Sequence, residues 1–174
     1  MLMKDFLTLA KERHSVRKYK DTPVETKKLN AILEAGRIAP SACNFQPWIF
    51  LVINTPDGMA KVAKGCNPFG APLAVIICAD TTAAWVRGDY KNHGDIDATI
   101  ATDHMMLCAQ DLGLSTCWIC AFNPNVIRAD FNIPDHLVPV NILPIGYADA
   151  EPQSPERHIH ARKSLENIVK YGTF

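Results

Sequence analysis

Leu2, Phe6, Leu9 and Ala10 recur at helical spacing, so the first dozen residues read as an amphipathic helix ending near Arg13. Thr22-Pro23 interrupts the chain, after which Leu29, Ile32, Leu33 and Ala35 mark one face of a second helix over residues 25–38. Residues 40–47 form a polar loop, and the aromatic and β-branched run 48–53 fits a buried strand. A turn at 54–58 leads to a weakly helical stretch at 59–64, then a loop at 67–72. Residues 73–79 make the most apolar strand of the chain. Ala98, Ala101, Met105, Leu107 and Cys108 pattern a long core helix over 95–112, closed by Gly113 just past its end. A strand at 117–121, a short helix at 125–131 and a strand at 138–145 follow. A linker rich in Pro and acid (148–155) then leads to a basic tail with a last helical turn at 165–169. Two leading helices and an uneven alternation of elements predict an α+β fold rather than a doubly wound parallel sheet.

At 174 residues and 48% hydrophobic content, the chain can bury roughly 70% of its unfolded surface, enough for a single domain over residues 1–174. Eighteen basic and eighteen acidic side chains cancel, and the aromatics do not interleave with a basic stripe, which argues against a nucleic-acid partner. No apolar run reaches the length of about 20 residues that spans a bilayer, and the first fifteen residues are charged. A cytoplasmic protein without a membrane partner is expected. The six cysteines are dispersed among apolar neighbours and most read as reduced core residues; the C-x-x-C of Cys117 and Cys120 lies in a strand-like run and reads as ordinary strand packing. The six histidines show no metal-ligand spacing, so no metal site is expected.

Three clusters carry candidate chemistry. In Arg13-His14-Ser15-Val16-Arg17, two guanidiniums and a hydroxyl leave a helix end together, a donor set that suits a phosphate; alone, such a run reads as solvated surface. In the loop from Pro40 to Trp48, two prolines stiffen the backbone while Ser41, Asn44 and Gln46 offer donors and acceptors fit for the edge of a planar heterocycle; alone, it reads as a capped helix-to-strand connection. Arg157, Arg162 and Lys163 form a third, basic group near the C-terminus. A G-x-G-x-x-G opening a helix after a strand is absent, so a Rossmann dinucleotide site is not supported.

Six features in order, covering nearly the whole chain, make the sequence resemble the nitroreductase family of FMN flavoproteins. They are Arg13-His14-Ser15-Val16-Arg17, the Pro-Ser-x-x-Asn-x-Gln-Pro-Trp loop at 40–48, an alanine-rich helix ending in Leu112-Gly113-Leu114, Cys117-Trp118-Ile119, Leu143-Pro144-Ile145-Gly146, and Arg162-Lys163-Ser164-Leu165-Glu166. The resemblance implies a three-layer α/β/α sandwich with a central mixed β-sheet, assembled as a homodimer with FMN at the subunit interface. It implies that Arg13, Ser15, Arg162 and Lys163, with His14 beside them, hold the FMN phosphate and ribityl chain. Arg17 would lie near the pyrimidine end, where a cation stabilises the charge that reduction puts on the ring. Pro40, Ser41, Asn44 and Gln46 would come from the partner subunit. Cys120 and Ala121 would aim backbone N–H groups at flavin N5 and O4, with the Cys120 thiol turned either to the flavin or to the core, and Asn67 would be a further pocket residue.

The implied activity is ping-pong reduction of nitroaromatics, quinones or similar electron-poor molecules by NADH or NADPH through flavin N5. No catalytic acid, base or nucleophile is then required of the protein. Reductive dehalogenation, azoline oxidation and flavin fragmentation on the same fold, and flavin binding without turnover, stay open as alternatives. Residues 80–94 stand where longer relatives insert helices over the substrate face.

Overall fold

The computed structural model of the chain describes residues 5–174. Leu2 of the expected first helix lies outside them. The helix itself, α1, spans Phe6–Glu12 and is capped by Asp5, whose carboxylate accepts the Thr8 N–H at 3.0 Å. Although patterned as amphipathic, α1 buries none of its residues, and Phe6 and Leu7 are exposed. Then come α2 (Thr26–Arg37), a 3₁₀ turn at Ala42–Asn44, β1 (Trp48–Ile53), α3 (Pro56–Gly65), β2 (Leu73–Asp80) and α4 (Gly94–Asp111). After them follow β3 (Ser115–Thr116), α5 (Pro124–Phe131), β4 (Leu137–Gly146), α6 (Arg157–Ala161) and α7 (Leu165–Ile168).

The sheet has the order β1-β2-β4-β3, and all its ladders are antiparallel. The parallel component of the expected mixed sheet is confined to an isolated bridge between Ser15 and Thr116. Alternation along β2 separates two cores. Leu73, Val75, Ile77 and Ala79 pack with Ile32, Ala98 and Met105, under α2 and α4. On the other face Ala74, Ile76 and Cys78 pack with Val62 and Ile127, under α3 and α5. Helices therefore cover both faces of the sheet in the three-layer arrangement. With both faces buried, β2 is apolar from Leu73 to Ala79, which is why it stands out in the sequence.

Three expected elements differ. The turn at 54–58 is already helical from Pro56, because Thr55 Oγ1 accepts the Gly58 N–H at 3.2 Å and Pro56 occupies the first turn, where its missing N–H costs nothing. The strand expected at 117–121 ends at Thr116. Its next partner on β4 is Pro144, whose carbonyl accepts the Cys117 N–H at 3.4 Å but which has no N–H to return. Pairing resumes only at Ile119, which exchanges bonds of 2.9 and 3.0 Å with Ile142. Finally, α6 had no periodic signal; its five residues bury no side chain.

The cysteines are free, and they do not share one environment. Cys78 and Cys117 are buried, whereas Cys43 and Cys120 are exposed rather than part of the core. Burial pushes the Cys78 thiol up to about 11.

Gly36 marks the closest approach of α2 to the layer beneath it. A Cβ there would stand 2.9 Å from Met105 Cγ and 3.1 Å from the Phe50 ring. Helix propensity alone would favour Gly36→Ala by about 1 kcal/mol. Overpacking reverses the sign, so urea titration should show a net loss of about 1–3 kcal/mol; a gain would mean that the α2–α4 seam yields without strain.

Candidate functional site

Most of the predicted residues gather at the β3 end of the sheet. Arg13 caps α1 in an extended conformation, which turns the chain onto β3, where Val16 N donates to Thr116 O at 2.9 Å. This pairing carries Ser15 to the Cys117 thiol, whose ionisation is raised by burial and lowered in part by Arg17, a Ser15 hydrogen bond and Arg13. Ser15, Cys117 and the two arginines thus share one neighbourhood. Arg17 lies over the Phe69 ring at 5.9 Å, and Asn67 Oδ1 accepts the Phe69 N–H at 2.8 Å. Phe69 and Phe122 pack on the same core as Cys117 and Ile119, so the loop carrying Asn67 adjoins the segment carrying Cys120 and Ala121. Both of those residues are exposed, and neither N–H donates a hydrogen bond among the described residues. They follow directly on Ile119, whose exchanged bonds with Ile142 are the last pairing of this segment with β4.

The C-terminal basic group comes back to the same place. Arg157 donates from Nη2 to the Arg13 carbonyl at 2.7 Å, and His158 Nε2 lies 3.1 Å from the Lys11 carbonyl. Burial first, and then the charges of Arg157 and Arg162, hold the Arg13 guanidinium below its ordinary range, with Asp103 offsetting this in part. Among the ion pairs of the described residues none includes Arg13, Arg17, Arg157 or Arg162. Three guanidinium charges that act on one another without an ion-paired carboxylate repel, and an anion of two charges relieves that repulsion. Lys163 follows Arg162 on the exposed tail. His14 Nδ1 lies 3.1 Å from the Glu12 carbonyl, and His14 also borders a hollow of about 330 Å³ lined by Glu12, Gln110 and residues 152–155. Arg157 belongs to the third basic group of the sequence but was not among the residues that the family resemblance assigns to the cofactor; its place beside Arg13 emerges only when the tail folds back on α1.

The Pro40 loop does not join this group within one chain. It is a compact, self-bonded turn: Ser41 Oγ accepts the Gln46 N–H at 2.9 Å, and Gln46 Nε2 donates to the Asn44 carbonyl at 2.9 Å. Cys43, Asn44 and Gln46 all have positive φ, between 51 and 56°. Pro40 is exposed at its start. The loop touches α4 in that helix's first turn, through Asp97, whereas Arg13 senses Asp103, six residues on. Six residues advance a helix by about 9 Å, so the loop and the arginine group lie beside different turns of α4. Two larger hollows, of about 460 and 560 Å³, lie beside α2 and are lined by none of the predicted residues.

The nitroreductase family model matches residues 10–67 and 60–147. The chain is 46% identical to a nitroreductase family protein from Clostridium difficile 630, whose crystal structure superposes with a TM-score of 0.96 over 98% of this chain and 100% of that one. A Methanothermobacter thermautotrophicus protein named "Putative NADH dehydrogenase/NAD(P)H nitroreductase" is 32% identical over 91% of this chain and 87% of its own length. The "FMN reductase [NAD(P)H]" of Bacillus subtilis is 28% identical over 95% of this chain and 76% of its own. The chain belongs to the nitroreductase family. No helix among the described residues is long and apolar enough to cross a membrane.

The arginine cluster can be tested without any organic ligand. Inorganic phosphate should raise the melting temperature of the wild-type chain in a concentration-dependent way, because an ion that binds only the folded state stabilises it. In Arg13→Ala and Arg162→Ala the rise should shrink by more than half; an equal rise in all three would disperse the proposed cluster.

Proposed function

We propose that this chain binds FMN and acts as an NAD(P)H-dependent oxidoreductase that reduces nitroaromatics, quinones or similar electron-poor molecules, as a homodimer with FMN at the subunit interface. The observation that carries the reading is the convergence of Arg13, Arg157 and Arg162 beside Ser15, in a chain of the nitroreductase family. These residues, with Lys163, would hold the phosphate, and Ser15 the adjoining ribityl chain. The free N–H groups of Cys120 and Ala121 would then meet the N5 and O4 edge, and Arg17 with Asn67 the pyrimidine side. Bound FMN supplies hydride acceptance and donation at N5. The protein's part is to anchor it, to place two N–H donors at the edge that gains and loses hydride, and to set a fixed cation where negative charge grows. NAD(P)H and the electron-poor substrate would occupy the same exposed face in turn, as ping-pong kinetics require.

The dimer has its own support. The Pro40 loop and the arginine group lie beside different turns of α4 in one chain, so a second copy is needed to bring a Pro40 loop to each arginine group. Ile159, Leu165, Ile168 and Phe174 on the tail, and Phe45 and Ile49 beside the loop, are exposed large apolar groups of a kind that an interface covers.

The direct test is anaerobic: the purified protein should be yellow, and NADH or NADPH should bleach it, with oxidation restored by a nitroaromatic or a quinone. A colourless protein that takes up no added FMN would sink the reading. Arg13→Ala and Arg162→Ala should weaken FMN binding by roughly tenfold to a hundredfold, the worth of a charge-assisted contact of about 1.5–3 kcal/mol. Arg17→Ala, saturated with excess FMN, should instead lower the flavin reduction potential; an unchanged potential removes Arg17 from this role.

The Cys120 backbone and thiol separate cleanly. Cys120→Ala keeps the N–H and should retain most flavin reduction, whereas Cys120→Pro deletes the donor and should lose most of it while remaining dimeric and FMN-loaded. Loss of turnover in a folded, FMN-loaded Cys120→Ala dimer would assign the work to the thiol instead.

A further inference from the structure

We propose that Asp97 is a positioning residue for the cofactor loop, holding residues 41–46 in shape from beneath; the inference rests on the FMN reading above. Asp97 stands in the first turn of α4 and is 2% exposed. Its Oδ1 accepts the Ala42 N–H at 3.0 Å, across 55 positions of sequence. Every other hydrogen bond of residues 41–46 among the described residues stays inside the loop or goes to Trp48 next to it: Asn44 N to Ser41 O, Phe45 N to Ala42 O, Gln46 N to Ser41 Oγ, Gln46 Nε2 to Asn44 O and Trp48 N to Gln46 O. The Asp97 carboxylate is thus the one hydrogen-bonded tether of residues 41–46 to the rest of the described fold; just past them, Pro47 O accepts the Asp80 N–H at 2.8 Å and holds the loop's far end to β2.

That tether matters because the loop is not a relaxed conformation. Three non-glycine residues, Cys43, Asn44 and Gln46, sit in the left-handed region, which persists only where the surroundings over-determine it. Internal bonds fix the turn's shape but not its place on the body. Placement falls to Asp97, to Pro47 at the far end, and to the packing of Ala39 and Trp48 against Ala101, one turn further along the same helix. The helix N-terminus suits a carboxylate at this point. Asp97 Oδ2 is also buried and has no partner among the described residues, so the acid is not held there by an ion pair of its own. Asp97 therefore reaches the cofactor only through the loop, whose Ser41, Asn44 and Gln46 the reading above brings to the flavin.

A double-mutant cycle on the full-length dimer decides this. Asp97→Ala removes the acceptor. Ala42→Pro removes the donor at a place that suits proline, since Ala42 opens the 3₁₀ turn and Ser41 before it is extended at φ −139°, ψ 160°. Each single variant should weaken FMN binding about tenfold, the double variant no more than either, and Asp97→Asn, which keeps an acceptor oxygen, by less than about threefold. Hydrogen exchange of the FMN-free proteins should speed up at residues 44–46 in both single variants while β2 stays protected.

Wild-type FMN binding in either single variant would overturn the proposal, as would multiplied losses in the double, an Asn variant as weak as the Ala one, or exchange that rises equally in β2. If Asp97→Ala does not fold, Ala42→Pro on the solvent-facing loop still decides through its own affinity and exchange. Should the wild-type protein bind no FMN, the functional reading fails; the tether then stands or falls on exchange at residues 44–46 alone.

Discussion

β2 has water on neither face, and this constraint shapes the rest of the molecule. Residues 74–79 pair on both edges, with β1 and β4, and residues 73–79 bury both rows of side chains, so helices must lie above and below the strand. Burying a Val, Leu or Ile side chain yields about 1.5–3 kcal/mol each, and this strand buries four of them, Leu73, Val75, Ile76 and Ile77. Once α2 and α4 cover one face and α3 and α5 the other, the loops at the ends of the sheet have only the rims left. The candidate site residues accordingly lie at the rims: Arg13, Ser15, Cys120 and Ala121 at the β3 side, and the Pro40 loop where β1 starts, next to the end of β2, where Asp80 N donates to Pro47 O at 2.8 Å.

α4 links the two rims. Its buried row runs through Asp97, Ala98, Ala101, Thr102, Met105 and Ala109, small enough for close contact with both α2 and the sheet. Thr102 uses this closeness to pair with buried Asn141 of β4 at 3.1 Å, giving the polar pair a partner inside the apolar layer. The same helix holds the Pro40 loop at its start and lies beside the arginine group through Asp103 further on. A rigid helix thereby fixes the separation between two sets of residues that one subunit does not bring together. In the proposed dimer a second copy would supply the Pro40 loop that completes each arginine group.

Much of the fold was legible from periodicity. β1 was found with its observed bounds, and α2, β2, α4, α5 and β4 within one or two residues, because each buries a regular row or a continuous apolar run. What misled the reading was local chemistry seen without its partner. The run at 117–121 has strand composition, but Pro144 across the sheet ends the ladder at Thr116. α1 has an amphipathic pattern, yet its contact with α4 leaves Leu9 and Ala10 only half-buried and Phe6 and Leu7 exposed. Cys43 and Cys120 resemble the buried cysteines in composition and lie exposed on loops.

The residue types of the candidate site were set by the sequence itself: basic residues around Ser15, a stiff polar loop between two prolines, a basic tail. They are legible because charge and backbone restriction are local properties of a few neighbouring residues. Which of them meet was decided only by tertiary structure. Arg157 joined Arg13 across 144 positions, and Asp97 joined Ala42 across 55. Asp97 in sequence is an acid in the first turn of a helix, normally solvated; its one clue is that it stands a turn before Ala101 and two before Met105 on the buried row. Pairings over such separations follow from how the helices cover β2, a collective result of packing that no short stretch of sequence contains.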